Sequence, residues 1–256
     1  MAHITAVISQ KGGVGKSSTA QALGAGLQRR GGSILYIDLD AQQNLSYTLG
    51  ADTEKPGAYN LLTGRATAKE AIQTTVQGVD IIAASARLAE DGVLADTPGK
   101  EYRLRECLEP IASAYKRIVI DCPPSLGTLT INALTAATDI IVPTQADIYS
   151  VQSLGQLSQT LDAIKKYTNP RLKIAGILIT RYSGRAVLNR DMADMLEDTA
   201  KRLGTKVYST RVRECVAVRE AQAVRKDIFS YAPRSNAARD YEAFIMEVLT
   251  DGEEKV

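Results

Sequence analysis

The sequence predicts one α/β domain, built on a mostly parallel, twisted sheet with helices on both faces. Three observations predict it. Short apolar runs recur at intervals too wide for hairpins, and each is followed by a stretch of helical periodicity, the pattern of right-handed βαβ crossovers. Aromatic residues make up only 5% of the chain, with no Trp and two Phe, so the core must be assembled from Ala, Val, Ile and Leu, the mix of a parallel sheet buried on both sides. No internal repeat and no linker rich in Pro, Gly or Ser divides the 256 residues, so residues 1–256 read as a single domain.

The first strand is ITAVIS, residues 4–9, which runs into a Gly-rich turn and an expected helix from Lys16 to Arg30. ILYID, 34–38, is the second strand, and Gly50 to Gly64 is the most loop-like region that follows. VDIIAA, 79–84, is the third strand, ahead of a helix expected over Lys100 to Tyr115. RIVID, 117–121, and DIIVPT, 139–144, are strands on either side of a helix from Leu126 to Thr138. A helix from Ser150 to Tyr167 leads to the strand KIAGILIT, 173–180, and helices from Leu188 to Leu203 and from Ala237 to Leu249 complete the pattern.

Composition excludes several classes. Cys107, Cys122 and Cys215 are odd in number, far apart and never spaced as CxxC, so no disulfide framework or zinc site is readable and a reducing cytosol fits best. Cys122 follows an apolar run and reads as a small core residue. The opening MAHITAVISQKGG lacks a basic stretch ahead of a long apolar segment, and no run approaches ~20 apolar residues, so neither a signal peptide nor a membrane span is expected. With 31 Lys and Arg against 29 Asp and Glu, the net charge of +2 does not by itself imply nucleic-acid binding, and any basic surface has to be local.

The most informative segment is SQKGGVGKSST, Ser9 to Thr19, which follows the first strand and opens the first helix. In that setting glycines let the backbone fold tightly enough for successive N–H groups and the helix N-terminus to face a polyphosphate. Strand, GKS and helix together predict a P-loop nucleoside-triphosphatase fold, with Lys16 reaching the β- and γ-phosphates and the Ser17 hydroxyl completing a Mg²⁺ shell. The usual pattern GxxxxGK[ST] fails at one place: its first Gly falls on Gln10, and an additional lysine, Lys11, precedes Gly12. Two further segments end strands in carboxylates. YIDLDAQQN places Asp38 and Asp40 two residues apart, on one side if the chain stays extended, either facing a nucleotide or capping the next helix. RIVIDCPPSLG ends its strand in Asp121.

The string KGGVGKSS resembles the deviant Walker A box of the ParA/MinD superfamily of ATPases, and the resemblance runs nearly the whole chain. It implies a Mg²⁺-dependent ATPase with weak intrinsic turnover, holding ATP through Lys11, Gly12, Gly13, Val14, Gly15, Lys16, Ser17 and Ser18. It implies that Lys11 reaches across an ATP-dependent homodimer to the partner's nucleotide, and that Asp40 positions the attacking water, which with Lys11 and Lys16 makes the catalytic set. Asp38 is placed near the Mg²⁺ shell, and Asp121 in a Walker B-like position that binds the metal through water; with Ser17 these form the metal set.

In the C-terminal half, DIIVPTQADIYSVQSL matches the family's segment near the dimer interface, and ILITRYSGR matches the strand that abuts the adenine, which makes Thr180 and Arg181 candidate base contacts. TRVRECVAVREA, which supplies Arg213 as a further nucleotide contact, resembles the stretch before the last helices. Chromosomal members often carry a proline before the arginine there; Arg213 and Glu214 stand instead, which shifts the likeness toward short-form, ParA/Soj-like members of plasmid or mobile-element type. Residues 181–226 hold eleven Lys or Arg against six Asp or Glu. Arg185, Arg190, Arg211, Arg213, Arg219, Arg225 and Lys226 either line a surface that grips DNA phosphates without reading sequence or form a solvated face with scattered ion pairs. The resemblance favours DNA. The expected function is therefore DNA partition: an ATP sandwich dimer on nonspecific DNA, released when a centromere-binding, ParB-like adaptor stimulates hydrolysis, in a cytoplasmic, nucleoid-associated protein. The alternative is a MinD-like ATPase that positions a non-DNA cargo. A membrane partner is not expected, because the chain ends TDGEEKV, acidic and polar, rather than in a basic amphipathic helix.

Overall fold

Alternate residues of each central strand bury on opposite sides of the sheet, and this is what places helices on both faces. The computed structural model describes residues 2–90, 92–94, 98–183 and 187–253, without the side chains of 187–190, 252 and 253. Among them the strands are β1 (His3–Val7), β2 (Ile34–Asp38), β3 (Ile72–Thr74), β4 (Asp80–Ile82), β5 (Arg117–Asp121), β6 (Asp139–Thr144), β7 (Lys173–Tyr182) and β8 (Val207–Arg213). They form one sheet in the order β3-β4-β2-β5-β1-β6-β7-β8, parallel except where β3 runs antiparallel to β4. On one face, Leu35 and Ile37 of β2, Ile118 and Ile120 of β5 and Ile140 and Val142 of β6 pack under α3 (Ala58–Leu62), α5 (Arg103–Leu108), α6 (Thr128–Ala136), α7 (Ile148–Tyr167) and α8 (Val187–Arg202). On the other, Ile34, Tyr36, Val119, Ile141 and Leu178 pack under α1 (Lys16–Gln28), α2 (Asn44–Thr48), α9 (Val216–Ala223), α10 (Ile228–Tyr231) and α11 (Asn236–Glu253). The single turn α4 (Ala68–Ala71), capped by Thr67, leads into β3. Among the described residues no helix is long and apolar enough to cross a membrane.

The six expected strands all form, β2, β5 and β6 with the expected ends and β1, β4 and β7 with shifted ones. The helix expected over Lys100 to Tyr115 does not: 3-10 turns at Lys100–Tyr102 and Ala112–Ala114 flank the short α5, which stops just ahead of Pro110, a residue with no amide to donate to the next turn. The loop-like stretch from Gly50 to Gly64 contains α3, and β3 and β8 arise where no strand was expected. Both are edge strands. The exposed edge of β8 is closed by carboxylates of α11: Glu247 accepts the amides of Ser209 (2.9 Å) and Thr210 (2.8 Å), and Asp240 accepts the amide of Arg213 (2.9 Å).

Helix α1 lies close on β2. A Cβ at Gly24 would sit 2.3 Å from the ring and hydroxyl of the fully buried Tyr36, whose hydroxyl donates to the Gln21 carbonyl at 3.2 Å. Gly to Ala in a helix interior ordinarily gains up to about 1 kcal/mol. Here Gly24→Ala is expected to lose about 1–3 kcal/mol through overpacking. Urea unfolding checks the sign, and a variant at least as stable as the parent contradicts this contact.

Candidate functional site

Between β1 and α1 the chain turns over glycines in the left-handed region, Gly13 at φ 73° and Gly15 at φ 83°. Gly15 caps α1 with no side-chain hydrogen bond, and the first turn carries no acidic residue, so the helix presents free N–H groups and an uncompensated positive end. A Cβ at Gly12 or Gly15 would meet nothing within 4 Å, which leaves the space over the loop open. That space belongs to a cleft of about 380 Å³ lined by Gly13, Gly15, Lys16, Ser17, Ser18 and Asp40 on the loop side and by Arg181, Arg213, Cys215, Val218 and Arg219 opposite. Val14 instead points into the core. The hydroxyl of Thr180 lies 2.7 Å from the Val14 carbonyl and 3.0 Å from that of Thr144 and ties the loop to the ends of β6 and β7. Arg181, left-handed at φ 49°, donates to the Gly13 carbonyl (3.1 Å) and to Glu214 (2.8 Å), spanning the cleft. A non-glycine residue there is strained by about 1–3 kcal/mol, strain that clusters at functional sites.

The carboxylates at the ends of β2 and β5 are register neighbours, Asp38 opposite Asp121. Both are fully buried, and their surroundings differ. Asp38 accepts the Asp40 amide at 3.0 Å, the Ser46 amide at 2.9 Å and the Ser46 hydroxyl at 2.7 Å. Burial pushes its carboxyl up to about 6, against those three hydrogen bonds and with a further push from the Asp40 charge. Neither oxygen of Asp121 has a hydrogen-bond partner. Burial, then the charge of Asp38, raises its pKa well above the carboxylate range, while the Ser17 hydroxyl and the Lys16 ammonium pull the other way. An orphaned carboxylate beside a serine hydroxyl and a lysine, at an uncapped helix N-terminus, suits a hydrated Mg²⁺ shared with phosphate oxygens. The chain does not stay extended past Asp38. The Asp40 amide turns back onto the Asp38 carboxylate, so Asp40 lines the cleft while Asp38 lies behind it.

Lys11 is not on the wall of this cleft. Its ammonium is held by Asp147, the N-cap of α7, and by the Gln145 side chain at 3.3 Å. Partial burial works against ionised Asp147, but Lys11 and the Ser150 amide outweigh it and hold its pKa below the usual value. Of the basic residues in 181–226, Arg185 and the side chain of Arg190 lie outside the described residues. Arg211 donates to the Tyr182 hydroxyl (2.9 Å) and stacks on that ring, Arg213 pairs with Asp240 (2.6 Å), and Arg225 lies 4.5 Å over the Tyr47 ring. Exposed Arg219 sits at the rim of the cleft, and Lys226 is exposed at the end of α9. Sequence reasoning missed Ser46, Glu214, Tyr47, which lines the cleft, and Gln222, which donates to the Ser18 hydroxyl at 2.9 Å. None of these carries a local signal. Asp147 does, as the Asp-x-x-Ser of a helix start.

Residues 2–174 match the family model of an AAA domain. The chain is 38% identical over 257 aligned residues to the sporulation initiation inhibitor protein Soj of Bacillus subtilis, covering 98% of this chain and 100% of that protein. It is 36% identical to the chromosome partitioning protein ParA of Caulobacter vibrioides, covering 97% and 94%. Among solved structures, a cobyrinic acid a,c-diamide synthase from Mycobacterium smegmatis with bound ADP and magnesium superposes with a TM-score of 0.85 at 32% identity, covering 100% and 97%.

The strain at Asp121 has a measurable sign. A folded pKa above the unfolded value near 4 means that the fold favours the protonated carboxyl, so its contribution to stability is lost as pH rises through the folded pKa. Asp121→Asn, which cannot ionise, is expected to melt above the parent at neutral pH without Mg²⁺, the gap closing toward about pH 4. Thermal melts at the two pH values check this, and equal melting temperatures at neutral pH would contradict it.

Proposed function

The chain belongs to the ParA/MinD superfamily of ATPases, on its ParA/Soj-like branch, and we propose that it is a DNA-partition ATPase working as an ATP-bound homodimer on nonspecific DNA. A centromere-bound, ParB-like adaptor would stimulate hydrolysis and so release the protein from DNA. One observation carries the reading: a helix N-terminus with free amides, flanked by Lys16 and by the orphaned carboxylate of Asp121.

In this reading the loop amides and Lys16 would bind the β- and γ-phosphates, and the Ser17 hydroxyl and Asp121 would hold Mg²⁺. Bound there, Mg²⁺ supplies charge neutralisation at the phosphate oxygens. Asp40 reaches the cleft with one carboxylate oxygen fixed by the Gln42 amide at 3.0 Å and the other free to orient a water. Thr180, Arg181 and Arg213 stand at the base end of the cleft. Lys11, turned away from its own cleft, acts on the nucleotide of a second copy, which requires it to leave Asp147 and Gln145. The site is then complete only in the dimer, and hydrolysis dissolves it. Among the described residues, Arg219 and Lys226 are exposed cations of the basic segment that would be available to DNA phosphates.

Sedimentation with ATP, ADP and no nucleotide tests the dimer. Lys11→Ala is expected to bind one ATP per protomer and remain monomeric, whereas Asp40→Ala should bind ATP and Mg²⁺ and accumulate as a dimer that stays on DNA. A Lys11→Ala dimer population equal to the parent's, or release of Asp40→Ala from DNA at the parent's rate, would overturn these roles.

DNA affinity is expected to be tighter with ATP than with ADP, to ignore sequence, and to fall with salt by a slope of about −0.9 per phosphate neutralised. Lys226→Glu should weaken binding evenly across sequences and flatten that slope without changing ATP affinity. An unchanged slope places the DNA surface elsewhere.

A further inference from the structure

We propose that Ser46 is a positioning residue for hydrolysis: its buried hydroxyl, bonded to Asp38 on one side and to the backbone at Ala84 on the other, holds the segment that presents Asp40 to the nucleotide. The inference rests on the reading of Asp40 as the residue that orients water.

Apart from Ser46 the segment is held mainly by apolar packing and local turn bonds. Helix α2 is five residues long, too short to be stable by itself, and its N-cap, Gln43, makes no side-chain cap and sits in the left-handed region at φ 59°. Its inner face is pinned by Leu45, Leu49 and Ser46, while Asn44, Tyr47 and Thr48 line the cleft. Of the three inner side chains only that of Ser46 makes hydrogen bonds. Its amide and hydroxyl both donate to one oxygen of Asp38, at 2.9 and 2.7 Å, and the hydroxyl accepts the Ala84 amide at 2.9 Å. The other oxygen of Asp38 accepts the Asp40 amide at 3.0 Å. One hydroxyl thus joins the ends of β2 and β4 and, through Asp38, fixes the backbone of Asp40. With both its oxygens bonded internally, Asp38 works in this bracket as a fastener of the water-orienting residue.

The bracket runs further. The Ala83 carbonyl accepts the Ala58 amide at 2.8 Å, and a Cβ at Gly57 would lie 2.2 Å from that carbonyl, so the N-terminus of α3 is packed against the same anchor point. Ser46 therefore fastens the short α2 to a part of the fold set by sheet and helix packing. A loosened bracket displaces Asp40 without touching the phosphate loop, and a misplacement of about 1 Å costs up to about a hundred-fold in rate.

The test is a double-mutant cycle between Ser46→Ala and Asp40→Ala, read by turnover per folded protein, by affinity for a non-hydrolysable ATP analogue and by thermal melting. Ser46→Ala is expected to lower kcat by about ten- to a hundred-fold with analogue affinity within about three-fold of the parent, and to add nothing once Asp40 is Ala. Ser46→Thr, which keeps donor and acceptor, is expected to restore most of the rate. A Ser46→Ala protein with parental kcat, or one whose kcat and analogue affinity fall together, overturns the proposal. So does a rate loss that persists undiminished on the Asp40→Ala background. If Asp40→Ala itself turns over like the parent, the reading of Asp40 has failed, and the two failures are separate. Should Ser46→Ala not fold, Ser46→Cys, nearly the same shape with a weak hydrogen-bonding sulfur, takes its place in the cycle with the same expectations.

Discussion

Two carboxylates buried side by side at the carboxyl end of a parallel sheet are the constraint on which this site depends. Asp38 and Asp121 are register neighbours with no solvent access, and like charges so placed cannot both be ionised cheaply. The fold answers them differently. Asp38 is satisfied internally by three hydrogen bonds, so it can act as a fixed part of the frame. Asp121 is left unpartnered, facing the Lys16 charge and the positive end of α1, and its unmet demand is what makes the spot suit a cation.

The C-terminal half is part of the same device. Thr180 and Arg181, at the end of β7, bind the carbonyls of Val14 and Gly13, and Gln222 of α9 reaches the Ser18 hydroxyl. Tyr241 of α11 meets the Thr19 hydroxyl at 3.4 Å, and Gln21 of α1 donates to the Lys226 carbonyl at 3.4 Å. A glycine-rich loop pays a large entropy for its freedom, and these distant bonds hold it in its turn. They also join the two halves of the chain at the cleft. The first strand and the last helix contact the same loop region, and neither half could shape the cleft alone.

How much of this was legible in the sequence depended on the range of the interaction. Local chemistry was readable: the Gly-Lys-Ser turn after an apolar strand, and the central strands, which are buried on both faces and so appear as unbroken apolar runs. Edge strands were not. In β8 the pattern is diluted by Ser209, Thr210 and Arg211, polar because one side of the strand is exposed and its amides are closed by α11. The break at Pro110 was readable in principle, and the helical periodicity around it hid the effect of a single ring. Ser46 was beyond reach, since its meaning lies in Ala84, 38 residues on, and the hold of Asp147 on Lys11 spans 136 residues.

The basic segment shows why a charge count alone overstates a phosphate-binding surface. Residues 181–226 carry an excess of five positive charges, yet Arg181 is committed to Glu214 and the Gly13 carbonyl, and Arg213 to Asp240. Arg211 is stacked on Tyr182 with Glu197 3.9 Å away, and Arg225 is stacked on Tyr47. These arginines fasten β8, the rim of the cleft and α2 to one another. Guanidinium groups suit that work because they stack and donate in a plane while keeping their charge. Lys226 stands apart, exposed at a turn whose carbonyl is held by α1, the helix that begins at the phosphate loop. Lys226, through Gln21, and Arg219, on the same helix as Gln222, thus both sit on segments that bond α1 at or near its start.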